Sequence, residues 1–406
     1  MRRRVKITGI GPVTPAGIGR EAFFRGINES VSRVGTITRF DLAAGPFVGA
    51  EIKNFDLSRY ASDENPRRLS RHTQFALVAA ILALRDAGLT LEEAGQFNPV
   101  IVTGTSSMDL DKISRSVEAV SRKGMRHAMS SMIYDSPVTN VPGKIAEYVN
   151  KHGGTSRMFA VQTACCSGLD AIGQAAELVA NGQADLGIAG GSEAPLSFHP
   201  LAEFNAAELN PVCNDQPEKS CRPFDLWRST GVIGEGAAIF ILEPESSPRP
   251  PLAWVTGYGN HNDIDYSAGS GIAEAVQQAL ANACRRPDEV DYISAWGPGH
   301  RSIDANEAFA LKRAFGAKLA EIPAVSIKGS IGTALGATGA IQVASTVLSL
   351  VHGVIPPTVN WETPDPDCRL NLSARARHLD VQIAVIDAHG LPRSNAALIL
   401  EKTCPR

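Results

Sequence analysis

Short, unbroken apolar runs alternate along this chain with longer stretches whose apolar positions recur every three or four residues. Val5–Ile10 and Val100–Thr103 read as buried strands, and Arg157–Val161, Asp185–Ala189 and Ala237–Leu242 as further strands. Phe75–Ala87, Gly143–Val149 and Gly168–Val179 carry helical spacing. The Pro- and Ser-rich segment Pro244–Pro251 is the best internal boundary, and beyond it the pattern restarts. Strands are predicted at Leu252–Gly257, Val290–Ala295, Val325–Ile327, Ile383–Ile386 and Ala396–Leu400. Helices are predicted at Ile272–Cys284, Ala305–Phe315 and Ile341–Val351. This alternation predicts an α/β fold in two halves, residues 1–245 and 252–406.

Composition narrows the function classes. A net charge of −3 over 406 residues gives no phosphate-tracking surface, which argues against nucleic acid. No stretch approaches the roughly 20 uninterrupted apolar residues of a bilayer span. The basic start Met1-Arg2-Arg3-Arg4 runs straight into a strand rather than an apolar signal core, so no secretory signal is expected. The seven cysteines are an odd number without metal-site spacing, and a reduced cytoplasmic protein with no metal is the simplest expectation.

One hexapeptide carries chemistry. Thr163-Ala164-Cys165-Cys166-Ser167-Gly168 joins a predicted strand to a predicted helix through small residues. A cysteine at such an elbow faces the unpaired N–H groups of a helix start. That setting favours the thiolate, so Cys165 is expected to be a nucleophile, against the plainer alternative of a buried packing cysteine.

These residues resemble the active-site elbow of the β-ketoacyl synthases, the thiolase-fold condensing enzymes of fatty-acid and polyketide synthesis. The opening Val5–Gly17, the segment Gly190-Gly191-Ser192-Glu193-Ala194, the stretch Asn214–Asp225 and Gly234-Glu235-Gly236-Ala237-Ala238 are similar to the family in the same order. The resemblance implies a duplicated, five-layered αβαβα fold and no cofactor. It also implies a Cys-His-His set, in which two imidazoles hydrogen-bond a malonyl thioester and stabilise the enolate formed as carbon dioxide leaves.

Here the set is broken. Where the family has His-Gly-Thr-Gly-Thr, this chain has Trp296-Gly297-Pro298-Gly299-His300, with Asp304 and Glu307 holding the register. Where the second histidine follows a Lys-Ser-x-x-Gly segment, this chain has Lys328-Gly329-Ser330-Ile331-Gly332-Thr333. Trp donates one hydrogen bond and moves no proton, and a Thr hydroxyl does not titrate near neutrality. His300 is a candidate displaced base or a solvated loop residue, and Lys328 is expected to orient its neighbours through Glu307. The family's Gly-Phe-Gly-Gly-x-Asn gate reads Gly390-Leu391-Pro392-Arg393-Ser394-Asn395, with Leu391 at the phenylalanine position. Pro and Arg disfavour the backbone freedom that the glycines supply.

The pattern is most like a chain-length-factor subunit. The resemblance implies a heterodimer with an active ketosynthase, in contact with acyl carrier protein through that complex, whose growing chain it shapes. Met108, Met132 and Tyr134 are candidate cavity-lining residues, with ordinary dimer-core packing as the alternative. Retention of Cys165 is a departure, since many such subunits have lost it. It leaves a second reading, an acyltransferase that forms a Cys165 thioester without decarboxylation, for which no family position supplies a base.

Overall fold

In the computed structural model, residues 3–39, 46–107, 109–151, 154–212, 214–265, 267, 269–391 and 393–403 are described. The first half contributes the strands Val5–Thr14, Val100–Gly104, Arg157–Val161, Gly187–Glu193 and Gly236–Pro244. The second contributes Ala253–Asn262, Tyr292–Ser294, Ala324–Val325, Ile383–Gly390 and Ser394–Glu401. Numbered within each half, both sets lie in the order third, second, fourth, fifth, first. The second, third and fourth strands run parallel, while the fifth is antiparallel to both of its neighbours. The half-sheets meet edge to edge where Val5–Ile7 pairs antiparallel with Ala253–Val255.

Both faces of each half-sheet are covered, which is why the strands read as continuous apolar runs. Along Gly236–Pro244, Ala238, Phe240 and Leu242 face the shared middle core. Ala237, Ile239 and Ile241 face an outer layer with the helices Arg71–Asp86 and Asn140–Asn150. In the second half, Ala396, Leu398 and Leu400 face the middle, while Ala397 and Ile399 face the helices Ile272–Asn282 and Arg301–Phe315. Between the half-sheets lie the helices Ser167–Ala180 and Thr338–His352, the second buried from Thr338 through Leu350. The result is the five-layered thiolase arrangement expected from the resemblance. The stretch Leu335–His352 is apolar and long enough to cross a bilayer, yet 89% of it is buried inside the protein, as suits a central-layer helix.

Several elements differ from the sequence expectation, among them the helices Arg20–Asn28, Leu91–Gln96 and Phe198–Ala206, which were not anticipated. The strand expected at Val325–Ile327 is Ala324–Val325, and the chain turns at once into the short helix Lys328–Ile331. The helix Leu110–Lys123 was not anticipated. None of its residues is buried, so its apolar positions carried no core signal.

A packing device repeats across the duplication. A Cβ on Gly11 would lie 1.9 Å from the Ala79 carbonyl oxygen, and one on Gly259 would lie 2.1 Å from that of Ala275. In each half the first strand thus touches the backbone of its outer helix. Gly11→Ala and Gly259→Ala should each lower stability by about 1–3 kcal/mol, because backbone cannot move aside as a side chain does. Gly35→Ala, which meets nothing within 4 Å, should change little. Urea unfolding of the three variants checks this, and equal midpoints would refute the close-approach argument.

Candidate functional site

The elbow lies where expected, between the strand Arg157–Val161 and the helix Ser167–Ala180. Ala164 takes a left-handed φ of 53°, a strained position for a residue with a Cβ. Ser167 secures the turn: its hydroxyl donates to the Ala164 carbonyl and accepts the Thr163 N–H at 2.9 Å. Bonds from the second half hold the same turn. Ser394 Oγ donates to the Thr163 carbonyl at 2.8 Å, and Cys166 Sγ donates to the Ser394 carbonyl at 3.4 Å. Buried Asp170 accepts from Thr163 Oγ1, from Tyr258 OH at 2.8 Å and from Asn260 Nδ2 at 3.0 Å.

The expected thiolate is not what this elbow favours. Cys166 is the N-cap residue, and Cys165 stands one position outside the helix. Burial, and next the charge of Glu193, push the Cys165 thiol up to about 12, outweighing the Leu391 backbone hydrogen bond and the charge of Lys328. Cys165 is therefore a thiol at neutral pH and needs a base to become a nucleophile.

Cys165, Trp296, His300, Thr333 and Leu391 line one cavity of about 60 Å³, together with Phe204, Leu335 and His389. Pockets that bury a drug-sized ligand run to roughly 300–1,000 Å³. Five sequence-flagged residues thus converge, in a space too small for a long acyl chain. His300 caps the start of the helix Arg301–Phe315 and its Nδ1 lies 3.2 Å from Ser302 Oγ. Burial holds its imidazole below the ordinary value, with Arg228 adding to the shift.

Lys328 and Glu307 stand behind the cavity wall. Glu307 accepts the Gly297 N–H at 2.7 Å, and Asp304 accepts the N–H groups of Gly299 at 3.0 Å and Phe224 at 2.7 Å. The two acids clamp the loop that carries Trp296. Lys328 Nζ lies 4.7 Å from the centre of the Trp296 ring and donates to the Ala295 carbonyl at 3.3 Å. All three charged groups of this cluster, Lys328, Glu307 and Asp387, are fully buried. Burial pushes the ammonium down to about 7 and Asp387 up to about 6. Glu307 is raised well above the carboxylate range, by burial and then by the charge of Asp387.

The substrate-lining candidates fare differently. Tyr134 lies on the short helix Met132–Asp135 and is 77% exposed. Met132 is half-buried on that helix, and neither lines the Cys165 cavity of its own chain. The segment that carries them faces outward. Met108 lies outside the described residues, as does Pro392 of the gate segment.

Two polar residues of this region had no assigned role in the sequence reading. Glu193 gathers Thr105 Oγ1, the Ser106 N–H and Oγ, Ser107 Oγ and the Gly336 N–H, tying both halves together beside the elbow. His389 lies inside a strand and lines the cavity. The available signal was a titratable side chain two residues before Leu391, in a strand that is apolar apart from it and Asp387.

Comparison with known proteins agrees with this geometry. Residues 2–247 match the beta-ketoacyl synthase N-terminal domain and residues 252–362 the C-terminal domain. A putative polyketide beta-ketoacyl synthase 1 of Streptomyces cyaneus is 35% identical, over 96% of either chain. Among solved structures, the ishigamide ketosynthase/chain length factor superposes with a TM-score of 0.92 at 29% identity over 100% of both chains. A type II polyketide-synthase ketosynthase bound to the hexaketide, in complex with its acyl-carrier protein, gives 0.88 at 27% identity over 99% of this chain and 100% of that one. With the elbow, the clamped loop and the duplicated sheet in place, the chain belongs to the β-ketoacyl synthase family.

Proposed function

We propose that this chain is a chain-length-factor-type subunit that pairs with an active ketosynthase and shapes the space in which that partner's acyl chain grows. The observation that carries this reading is the cavity wall. Trp296 and Thr333 stand beside Cys165 where condensation needs two imidazoles, and the space left is about 60 Å³. An enolate forming there would meet one indole N–H and a hydroxyl, without a proton shuttle.

The outer surface supports pairing. The strand Arg157–Val161 is a sheet edge whose outer side carries no strand among the described residues. Its Met158 and Phe159 are 46% and 47% exposed. Unpaired edges with apolar side chains are sites of chain-to-chain association. Val117, Met125, Ile133 and Tyr134, on the segment from Leu110 to Asp135, add further exposed apolar surface. Cavity residues for the partner come from this outward segment in the same reading, with Met132 and Tyr134 as the described candidates. Contact with acyl carrier protein would then come through the complex, as in the neighbour solved with its carrier protein.

Two outcomes are expected. The isolated protein should release no carbon dioxide from malonyl-carrier protein, read by radiolabelled release. Steady release that disappears in Cys165→Ala would overturn the reading. Co-expression with a ketosynthase carrying an intact Cys-His-His set should give a heterodimer by light scattering, and Met158→Asp with Phe159→Asp should abolish it while leaving the fold intact. Failure of the unmodified chain to pair with such a ketosynthase, or undiminished pairing of the double variant, would refute the subunit role or the proposed edge.

A further inference from the structure

The cavity holds a titratable group that neither the broken histidine set nor the pairing role uses. His389 is 2% exposed, and its imidazole lines the cavity that Cys165 lines. The hairpin register places Asn395 directly across from it. His389 Nδ1 lies 2.9 Å from Asn395 Oδ1.

The tautomer follows from the partners. Asn395 Nδ2 donates to the His261 carbonyl at 3.1 Å and to Asp263 Oδ1 at 2.9 Å, so its other terminal atom is the carbonyl oxygen, an acceptor. His389 Nδ1 therefore carries the hydrogen, and Nε2 keeps its lone pair. That Nε2 is buried with no hydrogen-bond partner. A buried, unmatched acceptor costs free energy unless something arrives to use it. Burial also holds the imidazole below its ordinary value, so it is neutral and able to accept a proton at pH 7.

We infer that Cys165, His389 and Asn395 form a nucleophile, base and orienting group for acyl transfer from short-chain thioesters. The arrangement has the Cys-His-Asn logic by which a base activates a thiol and a third group fixes the base. His389 Nε2 takes the Cys165 thiol proton as the sulfur bonds to the thioester carbonyl carbon. The bond from that carbon to the leaving sulfur breaks, and the proton passes from Nε2 to the departing thiolate. The products are acyl-Cys165 and a free thiol. The thiol of Cys165, pushed up to about 12, makes such a base necessary. A cavity of about 60 Å³ favours a short acyl group over a long one. This inference goes beyond the pairing role and does not depend on it.

The test uses S-acetyl-N-acetylcysteamine with the full chain at neutral pH, read by peptide mass spectrometry against time. Acetyl should appear on Cys165 and be absent from the same peptide in Cys165→Ala, and the octanoyl thioester should label more slowly. His389→Gln should slow acetylation by about 10²-fold, the lower range for loss of a general base, with an unchanged melting midpoint. If that variant does not fold, His389→Phe carries the same test with the apolar volume kept. No acetylation of the unmodified chain, or a His389 variant labelled at the original rate, would overturn the assignment. Neither result bears on whether a ketosynthase copurifies, so failure here is distinguishable from failure of the subunit reading.

Discussion

Burial between the two half-sheets makes each polar group carried there costly unless it finds a partner. Leaving a charge unpaired in such a place costs several kcal/mol, so it is either paired or neutralised. The consequences are visible around the elbow. Asp170 gathers three side-chain donors, and Glu193 gathers donors from Thr105–Ser107 and from Gly336. Glu307 and Asp387, near each other and both raised, suit a carboxyl pair that does not ionise twice, with Lys328 beside them. The same burial raises the thiol of Cys165 and holds His389 neutral.

The same constraint shapes the loop that carries Trp296. The acids that follow the Trp296 loop act on its backbone, through Gly297 and Gly299, and not on the side chain at position 296. The clamp is therefore indifferent to which side chain stands at position 296. The indole is large and apolar apart from one N–H, so it occupies the wall and lies over Lys328. Lys328 turns its ammonium to the Ala295 carbonyl, which makes it part of the loop's support. The cavity remains as a geometric feature, walled in part by Trp296 and Thr333.

Much of the fold was legible because two-sided burial prints itself on a sequence as unbroken apolar runs, and Gly236–Pro244 and Ser394–Glu401 are good examples. The repeated strand order was not legible, since it depends on which strands pair and not on how apolar each one is. The helix Leu110–Lys123 escaped because it buries nothing. At the site, motif register brought Cys165, Trp296, His300, Thr333 and Leu391 together correctly. It misjudged the acidity of Cys165, because a helix start was weighed without the burial and the carboxylate that the tertiary structure adds. His389 was passed over because the search for a base stayed on the two family histidine positions and one neighbouring loop. Its place opposite Asn395 is a product of the hairpin register.

That register also explains why the two halves must act together. The first half supplies the elbow, but the turn is held by Ser394 and Tyr258, and the cavity is closed by Trp296, Thr333 and Leu391, all from the second half. A Cβ on Gly390 would fall 2.9 Å from the Cys165 nitrogen, so the hairpin backbone lies directly against the elbow. Any residue placed on the His389–Asn395 hairpin is thereby delivered to the cysteine with little freedom. A side chain added there needs no new loop and no new fold to become part of the site. It needs only a partner across the hairpin to fix its orientation, and Asn395 is already held in place by His261 and Asp263.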